Sequence, residues 1–309
     1  APLLHALNEE GTSNEALYTN ATIALRPKTG ELVWYFQHMP NDQWDLDWVF
    51  ERQIVNLEVE GVPRKVVLTA GKMALYDVLD AETGEYLNSY DVGLQNIVTA
   101  IDPETGDKAI NPRAIPNSED ANLLCPMANA GRNWPSASVN PNKKMLYLPL
   151  AEICMMFGPT SPTRTLLSTG VAIRAQPMAD SDGKFGRIQA IDLKTGKMAW
   201  NFREVVPPVS ATLATEGGLV FVGTLDNRFL AFDDADGSLL WEDDLGDIPA
   251  SFPISYGVDG NQYIALVVGQ PSVYHATVLM SYLNEFLGDQ SPVIKLPRSG
   301  PALVVYALD

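Results

Sequence analysis

Ala190-Ile-Asp-Leu-Lys-Thr-Gly-Lys-Met-Ala-Trp200 and Ala231-Phe-Asp-Asp-Ala-Asp-Gly-Ser-Leu-Leu-Trp241 are two copies of one phrase, and Ala24-Leu-Arg-Pro-Lys-Thr-Gly-Glu-Leu-Val-Trp34 is a third. Val78-Leu-Asp-Ala-Glu-Thr-Gly-Glu-Tyr-Leu87 and Ala100-Ile-Asp-Pro-Glu-Thr-Gly106 are degenerate copies. Each reads as a strand end, a tight turn and a second strand. Asp, or Arg-Pro in the first copy, opens the turn, and Gly supplies the positive φ of a bulged hairpin. The apolar pair after Gly enters the next strand, and Trp is a large anchor for packing on a neighbour. A hairpin unit that recurs along the chain indicates repetitive architecture. Antiparallel, strand-rich units point to an all-β fold, a β-propeller built of four-stranded antiparallel blades.

Blades of about 40 to 50 residues predict roughly four in this length. Trp34, Trp200 and Trp241 are expected between adjacent blades. The last letters, Val304-Val-Tyr-Ala-Leu-Asp309, open the same phrase and stop at its Asp. The first residues, Ala1 to Asn8, read as irregular, and a strand is predicted over Tyr18–Leu25. This pattern sets the expectation that the chain starts inside something larger. The stretch 88–187 is rich in Pro, Asn and Ser, and such inserted loops are where repeat folds carry function.

The formal net charge is −17, which argues against nucleic acid or an anionic membrane as partner. It favours solubility and a basic protein partner, and adaptation to salt water accounts for it equally well. No apolar run is long enough to span a bilayer. Cys125 and Cys154 are the two cysteines. They form no Cys-x-x-Cys, so neither a zinc site nor covalent haem is indicated. They read as buried free thiols, or as a disulfide closing a loop worth about 3 to 4 kcal/mol.

Chemistry-bearing residues gather in three loops. His38-Met-Pro-Asn-Asp-Gln-Trp-Asp-Leu-Asp-Trp48 holds Asp42, Asp45 and Asp47 beside Trp44 and Trp48. Asp45 and Asp47 alternate with Leu46, so extended chain would place them on one face, repelling. Such a pair requires a cation between the carboxylates or a retained proton; a solvated loop with Asp capping a turn is the plainer reading. Thr69-Ala-Gly-Lys-Met-Ala-Leu75 places Lys72 between Gly71 and an apolar strand, where a lysine is ordinarily solvated. Gly131-Arg-Asn-Trp-Pro135 offers Asn133 and Trp134. His5, His38 and His275 have no ligand spacing, and there is no dinucleotide fingerprint, P-loop or Gly-x-Ser-x-Gly.

At these loops the sequence resembles the quinoprotein alcohol dehydrogenases, enzymes dependent on pyrroloquinoline quinone (PQQ) and built on an eight-bladed propeller. The matching pieces run in order: Tyr18-Thr-Asn-Ala-Thr-Ile-Ala-Leu25, the Trp phrase, Tyr35 to Asp47, Cys125-Pro126, Gly131 to Pro135, Ile153-Cys-Met155, Leu213 to Asp226, and Asp247 to Tyr256 with Asp259 to Leu266. The resemblance covers the chain as about the C-terminal half of that propeller, a single partial domain over 1–309. It implies oxidation of a primary alcohol, polyol or sugar hydroxyl by hydride transfer to PQQ. Asp45 would be the base, and Asp45 and Asp47 ligands of Ca²⁺ or a lanthanide. Lys72 would meet the reactive carbonyl of PQQ, with Asn133 and Trp134 also binding the cofactor. Cys125 and Cys154 would form a disulfide, implying a periplasmic setting.

The resemblance also implies a small alcohol substrate and an N-terminal half of the propeller, in the same or a separate chain. It further implies cytochrome c or a quinone as electron acceptor, no nucleic acid, and a possible homo-oligomer. The family's metal-binding Glu and the Trp that floors PQQ would precede Ala1, so the isolated chain is expected to be inactive. Pro208-Val-Ser-Ala-Thr212 lacks a family Trp. The competing expectation is a non-catalytic propeller that scaffolds protein partners.

Overall fold

The computed structural model describes residues 15–117, 119–160, 171–249, 251–269, 275–293 and 300–308. Two compact units emerge, Ala1–Gly131 with Ile153–Gln176, and Arg132–Glu152 with Pro177–Asp309. Among the described residues, the sheets are antiparallel ladders, and three have the expected four strands, two as simple meanders and one with two strands of another sheet inserted between its second and third.

In the first unit that sheet is Gln53–Val59, Val62–Ala70, Leu75–Asp80 and Tyr86–Asp91. Two-stranded sheets precede and follow it, Ala21–Leu25 with Leu32–Gln37 and Val98–Ile101 with Lys108–Ile110. Asn122–Leu124, Ile153–Thr160 and Val171–Pro177 make a three-stranded sheet. Leu75–Asp80 is buried on both faces, as the innermost strand of a stack must be. The first strand is shorter than predicted: Tyr18–Asn20 form a turn, with Asn20 at φ 47°.

The second unit holds two four-stranded sheets. One is Ser138–Asn140, Met145–Ala151, Gly186–Asp192 and Lys197–Glu204; the other is Leu213–Ala214, Leu219–Gly223, Arg228–Asp233 and Leu239–Asp244. Tyr147, Ile188, Trp200, Val222, Leu230 and Phe232 form the apolar layer between them. A three-stranded sheet, Ile254–Val258, Asn261–Val268 and Ala302–Leu308, follows. The second four-stranded sheet packs on it through Phe229, Leu245, Ile264 and Leu266.

The repeated phrase is the joint between sheets. At each full copy the ladder slips by one residue, as between Ala190 and Ile191 and between Ala231 and Phe232. Asp80 Oδ1 accepts from the amides of Glu82 at 2.9 Å and Thr83 at 3.1 Å, closing its turn. The Trp of one copy then covers the Gly of the next. Trp200 Nε1 donates to the Asp234 carbonyl at 3.0 Å, and a Cβ on Gly237 would lie 2.5 Å from Trp200 Cε3. Trp34 Nε1 donates to the Ala81 carbonyl at 3.3 Å, and a Cβ on Gly84 would lie 2.7 Å from its ring. Gly is therefore required twice, for its φ near 75° and for the indole on its face.

Trp241 departs from the expectation. It rests edge-on against Phe229 and Tyr306, at 6.2 and 5.1 Å, and keeps 39% exposure. A second departure is the helix His275–Leu287, which an all-strand reading does not contain. Ala276, Leu279 and Leu283 form its buried stripe. Among the described residues, no helix is long and apolar enough to cross a membrane.

Candidate active site

The Asp-rich loop leaves strand Leu32–Gln37 and is shaped by hydrogen bonds rather than by a ladder. Asn20 Nδ2 donates to Asp42 Oδ2 at 3.0 Å, and the Trp48 amide donates to Asn20 Oδ1 at 2.9 Å. Asp42 also accepts the amides of Trp44 and Leu46, each at 3.0 Å. Trp44 Nε1 donates to the Ala114 carbonyl at 2.6 Å. Arg52 closes the far side, donating to the carbonyls of Trp48 at 2.9 Å and Ala21 at 3.2 Å and also to that of Phe50. Burial holds the Asp42 carboxyl above its ordinary range, against the pull of the Trp44, Asn20 and Leu46 donors.

Within this frame Trp44, Leu46 and Trp48 are buried while Asp45 and Asp47 point the other way. The segment is not the extended chain expected, since Asp45 sits at φ 62°. The alternation survives, and the two carboxylates meet one cation. Lys72 Nζ lies 2.6 Å from Asp47 Oδ2, 2.7 Å from the Asp45 carbonyl and 3.6 Å from Asp45 Oδ2. Lys72 is 6% exposed, so the solvated lysine of the plainer reading is corrected: the strand start is buried and its ammonium is held by oxygen. Burial pushes Asp45 up to about 6; Lys72 pulls it down, and Asp47 and Asp42 push it further up.

Lys72 is held by its backbone as well. Its amide donates to the Asp47 carbonyl at 3.1 Å. Gly71 lies flat against Trp48, where a Cβ would fall 2.5 Å from Cε3 and 2.9 Å from the Asp47 carbonyl oxygen. One loop carries the two carboxylates, another the lysine, and Trp48 sets their spacing.

Behind Trp48 lies a buried polar chain that the sequence reading passed over. His38 stacks on Trp48 with centroids 4.8 Å apart and planes 3° from parallel. His38 Nδ1 donates to Asp77 Oδ2 at 2.7 Å, and Nε2 accepts from Thr22 Oγ1 at 2.8 Å. Burial lowers the imidazole pKa below its ordinary value, despite Asp77, which favours the neutral ring and this donor pattern. Lys108 Nζ donates to Asp77 Oδ2 at 2.9 Å and Ser89 Oγ to Oδ1 at 2.7 Å. Burial raises Asp77, yet Lys108 and the His38 hydrogen bond outweigh it and leave it below the ordinary carboxylate range. The legible signal was Asp77 itself, an acid inside an otherwise apolar strand, which burial obliges to find partners.

Cys125 and Cys154 form the disulfide, in the first unit, with Cα atoms 4.3 Å apart. Asn133 and Trp134 belong to the second unit. Asn133 is buried and its Oδ1 accepts the Trp134 amide at 2.9 Å, while the Trp134 ring is 54% exposed. His38 acts in packing, and His5 lies outside the described residues. Among the described residues, no cluster of three His, Cys, Asp or Glu is arranged to hold a metal. Asp45 and Asp47 nevertheless fit a hard cation: the oxygens that grip Lys72 are carboxylate and carbonyl donors, the set that Ca²⁺-like ions take.

The PQQ family model of the glucose/ethanol/alcohol dehydrogenase β-propeller domain matches residues 7–92 and 181–264. A 1-butanol dehydrogenase (cytochrome c) of Thauera butanivorans is 33% identical over 84% of this chain and 38% of its own length. A quinohemoprotein alcohol dehydrogenase of Comamonas testosteroni is 32% identical, also over 84% of this chain and 38% of its own length. The chain thus spans well under half of these curated relatives. Among solved structures, a europium-containing methanol dehydrogenase superposes with TM-score 0.82 at 26% identity, over 94% of this chain and 53% of that one. The fold is a partial β-propeller, and the chain belongs to the PQQ-dependent glucose/ethanol/alcohol dehydrogenase propeller family.

Proposed function

We propose that this chain is part of a PQQ- and metal-dependent dehydrogenase that oxidises the hydroxyl of a primary alcohol, polyol or sugar, with Asp45 as the base. The observation that carries the reading is the buried Lys72 ammonium gripped by Asp45 and Asp47. PQQ, when bound, would supply the hydride acceptor, and a metal ion, Ca²⁺ or a lanthanide, held by Asp45 and Asp47, would supply Lewis acidity. Asp45 takes the hydroxyl proton. Burial raises its pKa to about 6 while Lys72 pulls it down, and a bound cation would favour the ionised, proton-accepting form further. Lys72 supplies positive charge where negative charge grows during reduction, a role that a buried ammonium performs better than a solvated one. Asp45 and Asp47 offer carboxylate oxygen to the metal.

The family resemblance assigns Asn133 and Trp134 to cofactor binding as well, and in the second unit the Trp134 side chain is 54% exposed. The curated relatives are longer than the region this chain matches, and the remaining contacts would come from such additional propeller sequence. Electrons pass to cytochrome c or a quinone. The disulfide supports a periplasmic location, because such bonds persist in oxidising compartments. A scaffold propeller gives no reason to bury a lysine between two acids.

The test is Asp45→Asn in the full-length protein. It keeps shape and hydrogen bonding and removes the proton acceptor, so turnover falls by about 10²- to 10⁴-fold, with PQQ still bound by absorbance. Near-normal alcohol oxidation by Asp45→Asn, with Ca²⁺ or a lanthanide, refutes the assignment.

A further inference from the structure

The buried chain behind Trp48 does more than fill space. Trp48 touches the site's two loops at once. Its backbone follows Asp47, and its ring covers Gly71, the residue before Lys72. His38 stacks on that ring, nearly parallel at 4.8 Å, and Lys108 Nζ also lies over it, 5.3 Å from the ring centre. The imidazole is itself fixed at both nitrogens, by Asp77 at 2.7 Å and Thr22 at 2.8 Å. Thr22 Oγ1 in turn accepts Arg52 Nε at 3.1 Å, and the Arg52 guanidinium binds the Trp48 carbonyl at 2.9 Å. The ring that spaces the acids from the lysine is thus stacked on an imidazole that is itself held at both nitrogens.

We propose that His38 is a positioning residue: the flat face it lays on Trp48 holds the Gly71–Lys72 segment, and with it the Lys72 ammonium, in place against Asp47. Its consequence for turnover rests on the dehydrogenase reading; its consequence for local structure does not. His38 transfers no proton and touches no reacting atom.

The test compares His38→Phe with His38→Leu. Both remove the hydrogen bonds to Asp77 and Thr22, and only Phe keeps a flat ring on Trp48. Amide hydrogen exchange is read at Lys72, whose N–H bonds the Asp47 carbonyl. The central amides of Val62–Ala70 and Leu75–Asp80 serve as references within the same unit. Loss of an aromatic face predicts exchange at Lys72 about fivefold faster in the Leu variant than in the Phe variant. The reference amides should match between the two. In the full-length protein, kcat should fall in the Leu variant relative to the Phe variant, with KM unchanged.

Equal exchange at Lys72 in both variants overturns the proposal, as does equal acceleration at the reference amides. If neither variant folds while His38→Gln does, hydrogen bonding rather than the ring face holds the loop, and the proposal fails. If no variant, nor the parent protein, oxidises alcohol, the dehydrogenase reading fails while the exchange comparison still decides this one.

Discussion

Gly71→Ala isolates the contact on which the site's spacing depends. A Cβ at position 71 would stand 2.5 Å from Trp48 Cε3, 2.8 Å from Cδ2 and 2.9 Å from the Asp47 carbonyl oxygen. None of these neighbours is the free end of a flexible chain. Trp48 is buried under His38, and the Asp47 carbonyl accepts the Lys72 amide. Ordinary contact needs roughly 3.5 to 4 Å between carbons, so ring and loop must separate by about 1 Å. Overpacking of this kind costs about 1–3 kcal/mol. At about 2–4 °C per kcal/mol the melting temperature falls by a few degrees, and the fold survives. Turnover is more sensitive, because a misplacement of about 1 Å near reacting groups costs on the order of 10²-fold. Circular dichroism melts and steady-state alcohol oxidation by the full-length protein, saturated with PQQ and metal, measure the two effects side by side. A Gly71→Ala protein with kcat within about threefold of the parent would show that the Trp48–Gly71 contact does not set the position of Lys72.

The acid limb of the pH–rate profile should follow Asp45. The ionised form is active, so the rate rises with pH through a midpoint no higher than about 6, because a bound cation favours the carboxylate further. Lys72→Met removes a charge that lowers this pKa, so the limb moves to higher pH and the plateau rate falls. Cys125→Ser with Cys154→Ser opens a loop of 29 residues and should cost about 3–4 kcal/mol in denaturant melts; an unchanged midpoint would contradict it. Trp200→Ala should cost about 3–5 kcal/mol, because the ring fills the seam over Gly237. Trp241→Ala should cost much less, because its ring is 39% exposed.

What could be read from the sequence was what repeats or what is chemically unusual. The hairpin turns, the seam role of Trp34 and Trp200 and the meander sheets all follow from one recurring phrase with local rules. Asp45, Asp47 and Lys72 stood out because acids in apolar surroundings and a lysine at an apolar strand need a reason. Three features escaped, each for a physical cause. The helix His275–Leu287 interrupts the repeat, and its stripe of Ala276, Leu279 and Leu283 is visible only once the period is changed from two to 3.6. The partial exposure of Trp241 depends on its neighbours Phe229 and Tyr306, which the Trp phrase itself does not specify. His38 was set aside because it lacked metal-ligand spacing. Its partners, Thr22, Asp77 and Lys108, come from three other strands, and no spacing along the chain encodes that meeting.

The seams and the site use the same device. At the seams an indole lies on a glycine so tightly that a Cβ would clash, Trp34 on Gly84 and Trp200 on Gly237. At the site Trp48 lies on Gly71 in the same way. A flat, rigid ring against bare backbone has few alternative packings, which is why it can fix a distance where two flexible side chains cannot. The seams carry this contact between hairpins of adjacent sheets, where it contributes stability. Between the Asp-rich loop and Gly71 it contributes geometry, and what it positions is charge. Polar groups cover the ring there: the seam indoles donate to a turn carbonyl, whereas Trp48 is covered by an imidazole tied to Asp77 and Thr22 and by the Lys108 ammonium at 5.3 Å. A buried, neutral imidazole is a costly way to cover a ring if only packing is required. The cost is explained if the ring must hold Lys72 where two carboxylates compete for it.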